Sequence, residues 1–269
     1  MSNDPNFPSS LPIAPARNSS LGFNYVWDTL NLHWTPKPES QYDLAIGQAK
    51  ESVNKFGALP QITDKLSVQT IWDGITEYVF PNDSGESLIV TSSNGTDNQS
   101  VIIMGLDENF EQQSQEITLS GTSNVNVPST WTRVFRAYNN DSTDFAGDVS
   151  IKSSDEANTY AKILSNNNQT LMCVYTIPAN YTGKLVKFNL SAHNTSSANS
   201  LSAVVHLKTR EYGKVFRTRN VKGFSDTSPA SEQLVFPLVL APKTDIIFNK
   251  VSTSATSGKI NCDFDIALS

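Results

Sequence analysis

Histidine is scarce in this sequence: His33, His193 and His206 are the only three among 269 residues. None stands in a His-x-His or His-Glu-x-x-His arrangement, and no Gly-x-Ser-x-Gly turn occurs, so the familiar metallohydrolase and serine-hydrolase layouts are missing. His206 alternates with Val205 and Leu207 and so points to the opposite strand face, where a partnered or exposed imidazole is the ordinary role. Cysteine is scarcer still, with Cys173 and Cys262 alone. Neither has metal-ligand spacing. Both sit among strand-like apolar residues and are expected as buried thiols, a single long-range disulfide between them being the alternative.

Long apolar runs are also lacking. Nothing approaches the ~18 residues of a membrane span, and the start Met1-Ser2-Asn3-Asp4 has neither the basic nor the apolar region of a secretory leader. The expectation is a chain made in a cytoplasm, exported if at all by another route, with no membrane partner. Asn-x-Ser/Thr sites such as Asn82, Asn94 and Asn189 then reflect composition rather than glycosylation. Basic residues are outnumbered, 20 Lys and Arg against 26 Asp and Glu, for a net charge of −6. The densest basic stretch, 208–222, is interrupted by aliphatic and aromatic residues and reads as one face of a hairpin. Binding of nucleic acid requires a basic face, so nucleic acid is not an expected partner.

What is abundant is Ser, Thr and Asn, beside only 38% hydrophobic and 17% charged residues. These polar side chains bond to local backbone and compete with helix, which suits short strands joined by many turns. Period-two segments occur at 87–92 and 100–105, read as a hairpin around Asn94-Gly95. Others follow at 116–120, 132–138, 148–152, 170–177, 185–193, 202–210, 214–219, 233–240 and 245–251. In the final strand Ile260, Cys262, Phe264, Ile266 and Leu268 alternate with Asn261, Asp263, Asp265 and Ala267, giving one buried and one wet face. The expected fold is mainly β, a β-sandwich or jelly roll with an extended N-terminal arm and one short helix. The helix is predicted over 41–57, from Tyr42, Ile46, Ala49, Val53 and Phe56 at helical spacing with Gly57 as the C-terminal cap. The sequence divides into an arm with this helix (1–65), a first β module (66–164) and a C-terminal sandwich (165–269), or a single jelly roll with an insertion over 66–269.

The arm is the most unusual segment. Pro5, Pro8, Pro12 and Pro15 forbid helix, and Phe23, Tyr25, Trp27, Leu30, Leu32 and Trp34 follow. So short a segment has no interior for these groups, and each left in water costs about 1.5–3 kcal/mol relative to burial. They are read as partner-docking residues on a neighbouring subunit, with an internal strap as the alternative.

Candidate chemistry elsewhere is thin. Asp263 and Asp265 share a strand face roughly 7 Å apart, a separation an inverting glycosidase pair could use, but an acidic wet face is the preferred reading. Asp141, Asp144 and Asp148, and likewise Asp97 with Asn98, resemble calcium loops but lack EF-hand spacing, and are read as solvated loops. Trp72 and Trp131 lie in apolar segments and are expected in the core. No catalytic, cofactor-binding or metal-binding residue is assigned, and no cofactor is expected.

One resemblance emerges from the order of several short segments. Lys55-Phe56-Gly57, Thr70-Ile71-Trp72-Asp73-Gly74 and Tyr78 are similar to a leading segment of virion structural proteins from tailed bacteriophages, especially marine and cyanobacterial phages. Gly105-Leu106-Asp107, Ile117-Thr118-Leu119-Ser120-Gly121-Thr122, Arg133-Val134 and Gly147-Asp148-Val149-Ser150-Ile151 resemble the β module that follows in those proteins. Gln169-Thr170-Leu171, Tyr175-Thr176-Ile177-Pro178 and Pro242-Lys243-Thr244-Asp245-Ile246 resemble their C-terminal sandwich. The likeness covers residues 50–269. It implies a non-enzymatic virion component that decorates or reinforces the capsid, or else a neck, tail or fibre-like part. Its partners would be other virion proteins, and a homo-oligomer, with a trimer among the options, is the expected state. A carbohydrate-binding module for a host surface glycan is the reading kept from a different class.

Overall fold

A computed structural model describes residues 25–28, 33–36, 50–195 and 200–269, the first two segments as backbone. The chain divides into two units, 1–49 and 50–269. In the first, β1 (Tyr25–Asp28) pairs antiparallel with β2 (His33–Pro36), and Trp27 stands opposite Trp34. The rest of the expected arm, including Phe23, Leu30 and Leu32, lies outside the described residues.

The second unit is all strand, with no helix among the described residues. β3 (Glu51–Leu59) and β4 (Gln69–Thr70) come first. They are followed by β5 (Glu86–Ser92), β6 (Ser100–Leu106), β7 (Gln112–Thr118), β8 (Val125–Trp131), β9 (Arg133–Asn139), β10 (Val149–Ser153) and β11 (Thr159–Ile163). These seven form a sandwich, β11-β10-β5-β8 against β7-β6-β9, antiparallel throughout. Alternation explains the packing, since Val101 and Ile103 of β6 and Val149 and Ile151 of β10 turn to one shared core around Trp131.

The second sandwich uses β12 (Val174–Thr176), β13 (Gly183–Asn194), β14 (Ser202–Arg210), β15 (Arg217–Ser225), β16 (Ala230–Leu240), β17 (Asp245–Thr253) and β18 (Gly258–Leu268). One sheet runs β16-β13-β18-β3 and the other β12-β17-β14-β15, with β4 beside β17. β3 and β4 thus pair with strands of this second sandwich, across the whole length of the first. Leu185, Phe188, Phe248, Phe264 and Ile266 fill the space between the sheets, with the Phe248 and Phe264 rings stacked at 5.1 Å.

β17 is buried on both faces. Ile246 and Phe248 enter the core of the second sandwich, while Ile247 enters that of the first. A strand covered on both sides should be continuously apolar, and Asp245, Asn249 and Lys250 break that rule, each fully buried.

Three expectations need correction. The helix over 41–57 is not formed where it can be checked: 51–57 belong to β3, paired along its length with β18, and 41–49 lie outside the described residues. Gly57 is no helix cap. A Cβ there would sit 2.4 Å from the Cys173 backbone nitrogen, so glycine is required for β3 to pass close to residues 172–173. The hairpin over 87–105 also fails, because β5 and β6 lie in opposite sheets. The link between them is held by Asp97, which is buried rather than solvated: its carboxylate accepts the Ser92 hydroxyl (2.5 Å) and the Ala146 and Gly147 amides (2.9 and 3.0 Å). Burial alone would raise the Asp97 pKa, but these donors hold it below its usual value.

Candidate functional site

Between the two cores lies the most concentrated buried charge among the described residues. Arg133, at the start of β9, and Asp245, at the start of β17, are each 2% exposed and meet at 2.6 Å. Arg133 is bound a second time to Asp245 (3.0 Å), to Asp83 (2.7 Å) and to the Thr132 carbonyl (2.6 Å). Asp245 also accepts from the Thr176 hydroxyl (2.6 Å) and from Arg210 (2.8 and 2.6 Å). One carboxylate therefore holds two guanidinium groups.

Aromatic rings separate the cations. Arg133 lies 5.1 Å from the Phe80 centroid and 4.9 Å from that of Phe110, and Arg210 lies 5.1 Å from Phe80 and 4.9 Å from Phe216. Lys243 continues the series between Phe110 and Tyr212, at 4.8 and 5.2 Å. The result is an alternating stack, Tyr212, Lys243, Phe110, Arg133, Phe80, Arg210, Phe216, in which ring faces meet positive charge. Residues 80–133 come from the first sandwich and its approach, and the rest from the second. The stack ties the two sandwiches together, and its two guanidinium groups are both held by Asp245.

The outer face of the β16-β13-β18-β3 sheet is the second feature, and it contains the carboxylate pair singled out by sequence. In register, one row across the four strands reads Gln233, Lys187, Asp265, Asn54, the next Ser231, Asn189, Asp263, Phe56. Asp265 is bound on both oxygens, by Asn54 (2.5 Å) and Lys187 (2.9 Å). Asp263 accepts from Asn189 (2.7 Å), whose own carbonyl accepts from Ser231 (2.7 Å). The two carboxylates thus brace neighbouring strands on a wet face, as expected of cross-strand polar pairs.

Beyond these rows the side chains become small: Ser191, Asn261 and Ala58 lie in register on β13, β18 and β3. The drop in height opens a cleft of about 480 Å³, walled by Phe56, Leu171 and Pro229. Its one free carboxylate oxygen is Oδ1 of Asp263 among the described residues.

The third feature is on the edge strand β16. Leu238 pairs with Leu185 and Gln233 with Lys187, so four residues, 234–237, stand opposite the single Val186. The excess chain bulges outward. Leu234 and Leu238 pack on the core, while Val235 and Phe236 project into water, 86% and 87% exposed, with Val239 at 64%. Sequence reasoning missed this bulge, although Pro237 within an unbroken apolar run is the signal of an edge or bulged strand.

The remaining candidates are placed as follows. Cys173 and Cys262 are free and buried, and Cys173 donates to the Cys262 carbonyl at 3.0 Å. His206 is half-buried on the face opposite Val205 and Leu207, and His193 is exposed. Trp72 and Trp131 are in the core. Asp141, Asp144 and Asp148 do not converge with Asp97 on a cation site: no group of three or more His, Cys, Asp or Glu among the described residues could hold a metal. Tyr25, Trp27 and Trp34 fall on the β1–β2 hairpin.

No family model matches the chain, and no curated protein matches it.

Proposed function

We propose that this chain is a non-enzymatic structural component of a phage virion, decorating or reinforcing the capsid, with a neck or tail position as the neighbouring reading. The observation that carries this is the Val235–Phe236 bulge. Val235 and Phe236 are the most exposed large apolar side chains among the described residues, and with Val239 they form a contiguous patch of the kind that marks an interaction site. The rest of the described region supports a scaffold: its densest charges, Arg133, Asp245 and Arg210, are bound to one another rather than presented to a substrate. Residues Phe23, Tyr25, Trp27, Leu30, Leu32 and Trp34 supply the docking segment, and the particle's other proteins supply its seat.

The test is attachment to particles assembled without this protein. Full-length chain, a form lacking residues 1–40 and Phe236→Asp are each mixed with such particles and pelleted. Full-length chain should co-sediment, and the truncation should not. Failure of the full-length chain to bind any assembled particle, or its absence from a map of the intact particle, overturns the reading.

A further inference from the structure

The bulge and the cleft lie on the same sheet, and their chemistry is complementary. The bulge presents Val235 and Phe236 at the tip and Val239 beside them. The cleft offers an opening of about 480 Å³ with apolar walls from Phe56, Leu171 and Pro229 and a row of small residues beneath. Charge follows the same pairing. Lys184 stands in register with Val239, exposed and with no partner among the described residues, while Asp263 lines the cleft with one carboxylate oxygen free.

We infer that the bulge of one copy enters the cleft of a second copy, with Phe236 as the anchor and Lys184 set against Asp263. Strand addition along β16 is the obvious alternative for an exposed edge, and the bulge argues against it. Pro237 has no N–H to donate, and the looped-out 234–237 interrupts the row of backbone groups that a partner strand would read. A side chain entering a cleft needs no such row.

Bulge and cleft are different parts of one chain, so the contact closes as a two-fold dimer where each copy seats the other's bulge at once, and otherwise runs head-to-tail into a ring or filament. The inference rests on the preceding reading only in treating the bulge as an interface. It concerns free chains, whereas particle attachment is measured on assembled particles, so either can fail alone.

The experiment is sedimentation velocity on the full chain over a range of micromolar concentrations. The wild type should self-associate. Phe236→Asp removes the anchor and Ser191→Trp fills the cleft, and either should weaken association by roughly 10- to 100-fold, the effect of losing one buried aromatic. The two variants mixed in equal amounts should form a dimer and nothing larger, because one intact bulge and one intact cleft remain. Circular dichroism and thermal unfolding confirm that each variant is folded. Should a variant fail that check, the pair Lys184→Glu and Asp263→Lys takes its place, each alone weakening association and the double variant recovering it. A wild type that stays monomeric, a Ser191→Trp chain that still associates, or a mixture that forms no dimer overturns the inference. Binding of a glycan in the cleft of a monomeric wild type would overturn it as well.

Discussion

Lys55 offers a sharp test of how the core is built. It sits on the inward side of β3, 7% exposed, donates to the Phe135 carbonyl and lies 5.9 Å from the Phe135 ring centroid. Burial pushes its pKa down from 10.5 to about 7, against an opposing pull from Cys173 and with help from Arg136. That fall corresponds to about 5 kcal/mol of discrimination against the ammonium form, at roughly 1.4 kcal/mol per pH unit. Because the folded pKa is the lower one, the unfolded chain binds more protons between about pH 7 and 10.5, and stability rises with pH across that window. Lys55→Met keeps the volume of the side chain and removes the charge. It also leaves the Phe135 carbonyl without its donor, a loss of about 1–3 kcal/mol. The variant should therefore be more stable than wild type at pH 6.5 by about 2–3 kcal/mol, and its advantage should shrink as pH rises and be gone near pH 9. Urea unfolding of both chains at pH 6.5, 7.5 and 8.5 measures this directly. Taking the difference between them cancels the other groups that titrate. A variant less stable than wild type by the same amount at each pH would show that the ammonium is well accommodated, and the reasoning would be refuted.

Three other substitutions probe the fold. Asp73 is buried, its Oδ2 accepts the Leu171 amide at 2.7 Å, its Oδ1 has no partner, and burial raises its pKa from 3.8 to about 7. Its contribution is complete below about pH 4 and lost as pH rises through 7, so Asp73→Asn should stabilise the chain by about 2–4 kcal/mol at pH 8 and flatten the pH 4–7 slope in chemical unfolding. Asp245→Ala leaves Arg133 buried without its main counter-charge, and should destabilise by about 3–5 kcal/mol in the same assay. Gly57→Ala drives a methyl group into the backbone at residues 172–173, and the lowered melting temperature should correspond to about 1–3 kcal/mol.

Much of the architecture could be read directly from residue patterns. β18 is the clearest case, with Ile260, Cys262, Phe264, Ile266 and Leu268 all buried as their alternation requires, although Ala267, expected on the wet face, is buried as well. β14 occupies 202–210, the segment expected from its period. The failures have physical reasons. Val53 and Phe56 satisfied a helical spacing, but pairing with β18, about two hundred residues later, decided the matter, and local pattern carries no information about a partner so distant. β8 and β11 were missed because Val125–Trp131 holds Pro128 and several polar residues, and Thr159–Ile163 is too short to show a period. β17 was found, but Asp245, Asn249 and Lys250 gave no sign that both its faces are covered. The Asp263–Asp265 pair was placed on the correct wet face, but its partners Asn54, Lys187 and Asn189 come from two other strands and only pairing reveals them. The bulge at 234–237 depends on a register break that a run of apolar letters does not encode.

The pairing of β3 with β18 has a consequence for how the chain is made. Residues 51–59 leave the ribosome early but have no strand to join until 258–268 have been synthesised. At ~5–20 residues per second that interval is roughly 10–40 s. The sandwich formed by β5 to β11 lies wholly within the interval and can close first, its contacts being the more local ones. β3 meanwhile exposes Val53 and Leu59 with its edge unpaired. Premature termination between residues 164 and 258 would thus leave a folded front sandwich carrying a bare strand. Such products should be the aggregation-prone species in expression trials, and a chaperone that holds extended apolar segments should be found on β3.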